Sequence, residues 1–362
     1  MINVTKPYLP NQSKYLKYLD SIYSSNFLTN NGPLLQKLEA LLQEYLEVEN
    51  IILVSNGTVA LNIAYKALGL KGNVITTPFS FVATTSSLIS EKINPNFVDI
   101  DPETLNIDAS KILSKIDEFT SGILPVHVFG NPCQVDEIES IAKNNSLKVI
   151  YDGAHAFGVK YKGQSLLNYG DITTLSFHAT KIFHTIEGGA IITKDANLAK
   201  HIRTLINFGI QDEDNIPYIG TNAKMNEFQA AMGLAVLEDI GFIMDRRKEI
   251  SDRYTDELAA YFTLQKIDSL DETKLNYSYY PIILESHIEM LNLREYLNEH
   301  KVYPRRYFYP SLNNLPYLSS IQKMPHSEDI SSRILCLPIY PDLSDLEQTE
   351  IINLLHRYVA RY

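Results

Sequence analysis

The sequence predicts an α/β protein with a large, mostly parallel sheet and a smaller α+β domain toward its C-terminal end. From about Asn50 onward, short apolar runs alternate with helical patterns, as in the strand–helix–strand units of parallel sheets. The apolar runs end in small and polar residues, and ligands bind at those strand ends in such sheets. After about Lys194 this alternation stops, which indicates a different architecture in the remaining chain.

The first half of the chain supplies the elements of the predicted sheet. An amphipathic helix, LLQKLEALLQEYLE, precedes the alternating region. Runs of apolar and β-branched residues then predict seven strands: NIILVS, NVITTP, NPNFVDI, GILPVHVFG, LKVIYDGA, ITTLSFHA and GAIITK. Helices are predicted between these strands, over residues 58–70 and 81–91 and after residues 108 and 134.

The remaining chain has a more mixed pattern. We predict a helix after residue 194, a glycine-bearing loop, and a long helical stretch over about residues 227–261. A strand at NYSYYPIIL and a helix over residues 289–299 follow, and the segment VYPRRYFYP is aromatic and basic. We therefore divide the chain into a large domain, residues 1–245, and a small C-terminal domain, residues 246–362.

The composition limits the classes of partner. The 362 residues suffice for one large and one smaller core, and the net charge of −11 disfavours a phosphate polymer such as nucleic acid. A small anion needs only a local basic pocket. The two cysteines are far apart and form no metal-like cluster, which favours a reduced, cytoplasmic location. No apolar stretch is long enough to span a membrane, so we expect no membrane, nucleic-acid or metal partner.

Two segments at predicted strand ends carry small, polar and aromatic residues. SNGT, residues 55–58, joins a strand to a helix, and a glycine beside exposed helix amides suits a phosphate. A plain helix cap by Asn56 or Thr58 is the alternative interpretation. TPFSFVATTSS places Phe79 and Phe81 after the next strand, where each ring is either core or a stacking partner.

Two further strand ends carry ionisable residues. VIYDGAHAFG ends a strand at Asp152, which either caps a helix or pairs with a protonated ring nitrogen. Lys181 follows LSFHAT; it is either a surface lysine or a buried amine whose lowered pKa makes it a nucleophile. A phosphate cradle, a stacking aromatic ring, a carboxylate and a lysine are together what pyridoxal 5′-phosphate (PLP) requires. The sequence therefore predicts PLP as the cofactor.

The chain resembles the sugar aminotransferases of the DegT/DnrJ/StrS family, PLP-dependent enzymes with the aspartate aminotransferase-like fold of type I. The resemblance covers nearly the whole chain and is most specific in SNGTVALNIAYKALGL, DGAHAFG, SFHATKIFHTIEGGAIIT and GTNAKMNEFQAAMGL. It implies the following site residues: Lys181 for the Schiff base with PLP, Gly57, Thr58 and Ser176 for the phosphate, Asp152 for the pyridinium nitrogen, His155 beside the ring, and Phe81 stacked on it.

The resemblance also implies a homodimer with shared active sites. Asn222, in G-x-N-x-x-M, matches an asparagine that reaches the phosphate in the neighbouring subunit. Some family members have histidine at the lysine position and act as dehydratases, so lysine at position 181 favours transamination. The residues NAK at 222–224 stand where many members have an aromatic residue and arginine, which leaves the local substrate contacts open.

The implied substrate is a nucleotide-linked keto-sugar. SFHATKIFHTIEGGAI and RRYFYP most resemble members acting on dTDP-linked 4-keto- or 3-keto-6-deoxyhexoses, and FLTNNGP favours the 4-amino branch. The expected reaction converts dTDP-4-keto-6-deoxyglucose to dTDP-4-amino-4,6-dideoxyglucose with glutamate as amino donor, in deoxyaminosugar and O-antigen biosynthesis. Arg305, Arg306 and Tyr309 are the candidate substrate-binding residues, since arginine pairs well with phosphate; a solvated basic face is the alternative for the arginines.

Four other functions remain as alternatives. A dTDP-3-keto-6-deoxyhexose 3-aminotransferase and a PLP-dependent dehydratase belong to the same superfamily. A non-catalytic regulator with a PLP fold would gain support from a basic helix-turn-helix stretch before the fold, and we find none in the sequence. A Rossmann-type oxidoreductase would need G-x-G-x-x-G after the first strand, where SNGTVAL stands instead.

Overall fold

The computed structural model describes residues 1–267 and 270–361. Its helices are α1 (Gln12–Ser25), α2 (Pro33–Leu46), α3 (Gly57–Ala67), α4 (Val82–Ser90), α5 (Ala109–Ile112), α6 (Val135–Asn144), α7 (Ala196–Leu205), α8 (Glu227–Leu237), α9 (Ile240–Leu258), α10 (His287–Glu299), α11 (Pro325–Arg333) and α12 (Asp345–Val359). Its strands are β1 (Ile2–Asn3), β2 (Asn50–Val54), β3 (Asn73–Thr76), β4 (Asn94–Phe97), β5 (Thr120–Leu124), β6 (Lys148–Asp152), β7 (Lys160–Tyr161), β8 (Gln164–Ser165), β9 (Ile172–Ser176), β10 (Gly189–Thr193), β11 (Thr263–Leu264), β12 (Thr273–Lys274), β13 (Pro281–Ile283), β14 (Val302–Tyr303) and β15 (Ile334–Cys336). Within these ranges no helix is long and apolar enough to cross a membrane.

A seven-stranded sheet forms the centre of the large α/β part, in the order β2-β10-β9-β6-β5-β3-β4. Neighbouring strands run parallel except around β10, which is antiparallel to both β2 and β9. Helices cover the sheet, and β10 is buried along its whole length, which explains why the strands appear as almost continuous apolar runs. All seven predicted strands are confirmed, as is the mostly parallel sheet.

The carboxyl ends of adjacent strands bring polar residues together. β6 ends at Asp152 and its neighbour β9 ends at Ser176, with Asp152 paired in register with Thr174. The helix α3 begins beside these two strand ends. Its first residue, Gly57, has no side chain to keep the helix away from β9: a Cβ there would lie 3.0 Å from the Ser176 Cβ. This close approach places the start of α3 at the end of β9.

A second core lies under a three-stranded antiparallel sheet, β11-β13-β15, covered by α9, α10 and α12. Strand β1 pairs in parallel with β14, so Ile2 is buried in this second core. Helix α9 links the two cores, because Ile243 packs in the first and Ile250 and Tyr254 pack in the second. The predicted α+β architecture of this part is confirmed, and the predicted division between residues 245 and 246 falls inside α9.

The predicted helical stretch over residues 227–261 consists of two helices, since α8 ends at Leu237 and α9 starts at Ile240. The chain turns at Glu238 and Asp239, two acidic residues that bond to side chains of α1. The helix α1 was not predicted from the sequence. Tyr18 donates to Glu238 over 2.7 Å, and Lys14 forms an ion pair of 2.5 Å with Asp239. Both partners come from a segment more than 200 residues earlier, so local periodicity gives no sign of the break.

The predicted strand NYSYYPIIL is a strand only over Pro281–Ile283. The residues before it bond to the large sheet region instead of pairing with a neighbouring strand. Asn276 Nδ2 donates to the carbonyl oxygens of His155 and Phe157 over 2.8 and 2.9 Å. These contacts dock the second core against the carboxyl edge of the central sheet.

Candidate active site

A cavity of about 370 Å³ opens at the carboxyl ends of the central strands. We call it the central cavity. It collects most of the residues predicted to bind cofactor or substrate, although they are spread over some 250 positions of the sequence. The predicted residues that line it are Gly57, Thr58, Phe81, Asp152, His155, Ser176, Lys181 and Arg305.

Lys181 follows β9 in a short turn, and its amine lies in the central cavity. Its Nζ donates a hydrogen bond of 3.2 Å to Tyr279 Oη. Burial lowers the pKa of Lys181 to about 8; the Asp152 carboxylate opposes this shift and Arg305 adds to it. At pH 7 about a tenth of the amine is therefore uncharged, far more than for an ordinary lysine, and the neutral form is the nucleophile.

Asp152 stands at the end of β6 with both carboxylate oxygens bonded. Oδ2 accepts from Thr84 Oγ1 over 2.8 Å and Oδ1 accepts from the Ala154 amide over 3.1 Å. Burial raises the pKa of Asp152, whereas these two hydrogen bonds and the nearby Lys181 lower it. The two donors fix the direction in which the carboxylate faces the cavity.

His155 presents a neutral ring to the central cavity. Its Nδ1 accepts from the Phe129 amide over 3.2 Å, which leaves the proton of the neutral ring on Nε2. Burial, and to a lesser extent the charge of Lys181, hold the pKa of His155 well below its ordinary value. The ring is stacked on Phe308 with centroids 5.8 Å apart and planes inclined by 5°.

The start of α3 forms an anion cradle. The Asn56 side chain caps the helix by accepting from the Val59 amide over 2.9 Å, and Gly57 and Thr58 line the central cavity. The positive end of the helix dipole and its free amides stabilise a negative charge at this place. Ser176 stands opposite, so close that a Cβ at position 57 would lie 3.0 Å from the Ser176 Cβ and would require a small local shift.

These parts fit PLP. The anion cradle suits its phosphate, Asp152 suits its pyridine nitrogen, and Lys181 suits its aldehyde, all within one cavity of about 370 Å³. Phe81, the residue before α4, also lines the cavity and is 52% exposed, so its ring is available for stacking. The steric limit at Gly57 shows that the cradle is shaped for close backbone approach.

Three predicted residues lie outside the lining of the central cavity. Asn222 is exposed, and its backbone pairs with Asn207. Arg306 instead packs on the Tyr309 ring at 3.3 Å and contacts His287 Nε2 at 3.1 Å. The structure therefore separates Arg305 from the Arg306–Tyr309 pair.

Several residues of the site, on the cavity wall or directly behind it, were missed by the sequence analysis. Tyr279 bonds to Lys181, and Thr84 bonds to Asp152. Glu187 and His178 also line the cavity, with 3.5 Å between Glu187 Oε1 and His178 Nε2. His178 and Glu187 flank Lys181 in the motif SFHATKIFHTIEGG, which was the available signal; Tyr279 had none beyond the run of tyrosines in NYSYY.

A mostly parallel sheet that carries an anion cradle, a fixed carboxylate and a buried lysine at one edge defines the class of PLP-dependent enzymes with the aspartate aminotransferase-like fold. The model of the DegT/DnrJ/EryC1/StrS aminotransferase family matches residues 11–356, and the chain belongs to that family. It is thus an aminotransferase whose cofactor is PLP.

Proteins of known name are similar to this chain over almost its full length. The chain is 44% identical over 348 residues to a dTDP-4-amino-4,6-dideoxy-D-glucose transaminase of Shigella dysenteriae, covering 95% of each protein. It is 40% identical over 364 residues to one of Escherichia coli, covering 98% of each. A solved structure of DesI in the presence of its TDP-sugar product matches with a TM-score of 0.94 and 32% identity, over 99% of this chain and 93% of DesI.

Proposed function

We propose that this aminotransferase transfers an amino group from glutamate to C4 of dTDP-4-keto-6-deoxyglucose and forms dTDP-4-amino-4,6-dideoxyglucose. The observation that carries the proposal is the full-length similarity to the two transaminases named for that product. Arg305 supports it, because this cation lines the central cavity, where an anionic nucleotide sugar would meet the lysine.

The chain's own residues then have separate tasks. PLP, when bound, withdraws electrons from the carbon that loses a proton. Lys181 Nζ, with a pKa of about 8, takes the proton from the α-carbon of glutamate and delivers a proton to C4 of the sugar. The Asp152 carboxylate, fixed by Thr84 and Ala154, would keep the pyridine nitrogen protonated.

Other cavity residues hold the cofactor. Gly57, Thr58 and Ser176 would bind the phosphate at the start of α3, since all three line the central cavity. Phe81 would cover the PLP ring. His155 would supply a neutral aromatic surface beside it, since its pKa is far below the working pH.

The active enzyme in this proposal is a homodimer with shared sites. Asn222 does not line the cavity of its own chain, in keeping with a role in the site of a second copy. The loop before it exposes apolar side chains, with Ile216 63%, Tyr218 45% and Ile219 89% exposed, as at surfaces that become covered.

We also propose that the chain forms two domains, residues 1–245 and residues 246–362.

The setting of the reaction is proposed as cytoplasmic deoxyaminosugar biosynthesis, including that of O-antigen. Both cysteines, Cys133 and Cys336, are buried free thiols, which suits a reducing compartment.

Product analysis tests the proposed reaction. Purified holoenzyme is incubated with glutamate and dTDP-4-keto-6-deoxyglucose, and NMR locates the new nitrogen on the sugar. The proposal predicts an amine at C4. No amination of this substrate, combined with amination of a dTDP-3-keto-6-deoxyhexose at C3, would instead establish the 3-aminotransferase alternative.

A further inference from the structure

Tyr279 is the hydrogen-bond partner of the Lys181 amine. Lys181 Nζ donates to Tyr279 Oη over 3.2 Å and lies 5.7 Å from the centroid of the same ring. Burial raises the pKa of Tyr279, so the phenol keeps its hydrogen at working pH. A neutral hydroxyl both donates and accepts, and it therefore serves Nζ whether the lysine is charged or neutral.

The Tyr279 ring is held by aromatic neighbours. Its centroid lies 4.9 Å from that of His155, 5.0 Å from that of Phe129 and 5.3 Å from that of Tyr307. The rings of His155 and Tyr307 meet it edge to face, at 66° and 81°. Such packing leaves the ring little freedom to turn.

The backbone before Tyr279 is fixed as well. Ser278 Oγ and Asn276 Nδ2 donate to the His155 carbonyl oxygen over 3.0 and 2.8 Å. Arg247, which is buried in α9, donates to the Ser278 carbonyl oxygen over 3.1 Å. The phenol oxygen is thus a fixed point supplied by the segment before β13, whereas the lysine side chain that it holds has four rotatable bonds.

We infer that Tyr279 is a positioning residue, whose phenol holds the Lys181 amine where it captures the aldehyde of PLP. In this capture the nitrogen lone pair of the neutral amine bonds to the aldehyde carbon, and the nitrogen gives up two protons. The aldehyde oxygen leaves with these protons as water. Without the phenol the amine samples several staggered rotamers, and capture slows. The inference rests on the proposed role of Lys181 and not on the identity of the sugar.

The test compares covalent capture with non-covalent binding in the full-length apoprotein. Capture of PLP is followed by stopped-flow absorbance, and the Kd of pyridoxamine phosphate is measured separately, because this compound has no aldehyde to capture. Tyr279→Phe should slow capture about three- to tenfold, the effect of one hydrogen bond, and leave the pyridoxamine phosphate Kd unchanged. Tyr280→Phe is the matched control: it removes the neighbouring hydroxyl, which bonds to Thr255 over 3.1 Å, and should change neither quantity.

Two results would overturn the inference. The first is capture of PLP by Tyr279→Phe at the wild-type rate. The second is a loss of pyridoxamine phosphate affinity in Tyr279→Phe that matches its loss of capture rate, because Tyr279 would then be a purely structural residue. A Lys181→Ala variant tests the proposed role of Lys181 separately from that of Tyr279. Capture of PLP by this variant at the wild-type rate would refute the role of Lys181 itself. Normal capture by the wild type without amination of the keto-sugar would refute only the proposed substrate.

Discussion

At the scale of single residues, burial and two neighbouring charges set the protonation state of the reactive amine. Burial lowers the pKa of Lys181 to about 8, the carboxylate of Asp152 raises it, and the guanidinium of Arg305 lowers it further. The local sequence of Lys181, between a strand end and a glycine pair, leaves a surface lysine and a buried amine open, and the structure shows the buried amine. Its partner Tyr279 lies almost 100 positions away, and no local pattern connects the two.

The pH dependence of PLP capture should report these charges. Only the neutral amine reacts, so the capture rate of the apoprotein should rise with pH up to about 8 and level off above it. Asp152→Asn removes the charge that raises the Lys181 pKa, and the midpoint should move to lower pH. Arg305→Met removes a charge that lowers it, and the midpoint should move to higher pH. A midpoint near the ordinary lysine value of 10.5 in the wild type would contradict the burial of the amine.

The two adjacent arginines should differ in their effect on substrate binding. Arg305 lines the central cavity, whereas Arg306 is occupied by His287 and Tyr309. Arg305→Ala should raise KM for the dTDP-sugar about ten- to a hundredfold with kcat little changed, and Arg306→Ala should raise it less. Steady-state kinetics with varied dTDP-sugar at saturating glutamate check this. A larger rise in KM for Arg306→Ala would assign the diphosphate to the other arginine.

At the scale of elements, the central strands and their helices followed from the sequence, whereas contacts between distant elements did not. Strands buried on both faces produce continuous apolar runs, and these runs mark β2 and β10 as clearly in the sequence as in the structure. The break between α8 and α9 depends on side chains of α1, and the docking of residues 276–280 depends on His155. The hydrophobic periodicity within a short stretch of sequence cannot reveal contacts with α1 or His155, because these partners are distant in the chain.

One such long-range contact, between Glu227 and the start of α2, should contribute to the free energy of unfolding. The buried carboxylate of Glu227 accepts from the first amides of this helix, those of Leu34 and Leu35, each over 2.9 Å. Glu227→Ala leaves both amides without a partner and should lower the free energy of unfolding by about 2–3 kcal/mol. Urea titration measures it, with Glu49→Ala as the control, since this exposed residue should cost less than about 0.5 kcal/mol. Equal stability of the two variants would show that Glu227 does not cap α2.

At the scale of the whole molecule, the two cores meet at the central cavity. The large sheet supplies Lys181 and Asp152, and segments beside the small sheet supply Tyr279, just before β13, and Arg305, which pairs with Cys336 of β15. The fold type and the parts of the cofactor site were predictable because each part lies in a short motif at a strand end. The substrate-binding residues were less predictable, since the arrangement of Arg305, Arg306 and Tyr309 depends on how the second core packs.

Subunit mixing tests whether the site is shared between two copies. Lys181→Ala and Asn222→Ala homodimers should each be inactive or impaired, since one lacks the amine and the other a proposed phosphate contact from the neighbouring chain. Mixing them under conditions of subunit exchange should restore activity, because one of the two sites in a mixed dimer then carries neither change. Aminotransferase assays after exchange measure the recovery. No recovery, with mixed dimers verified by native mass spectrometry, would contradict the shared site.

The most direct test of the central claim is the position of the covalent cofactor bond. The holoenzyme is reduced with borohydride, digested, and mapped by mass spectrometry. We predict a phosphopyridoxyl group on Lys181, in the peptide that contains SFHATKIFHT, and loss of that adduct in Lys181→Ala. An adduct on another lysine, or none in a holoenzyme that turns over, would contradict the assignment of the central cavity as the active site.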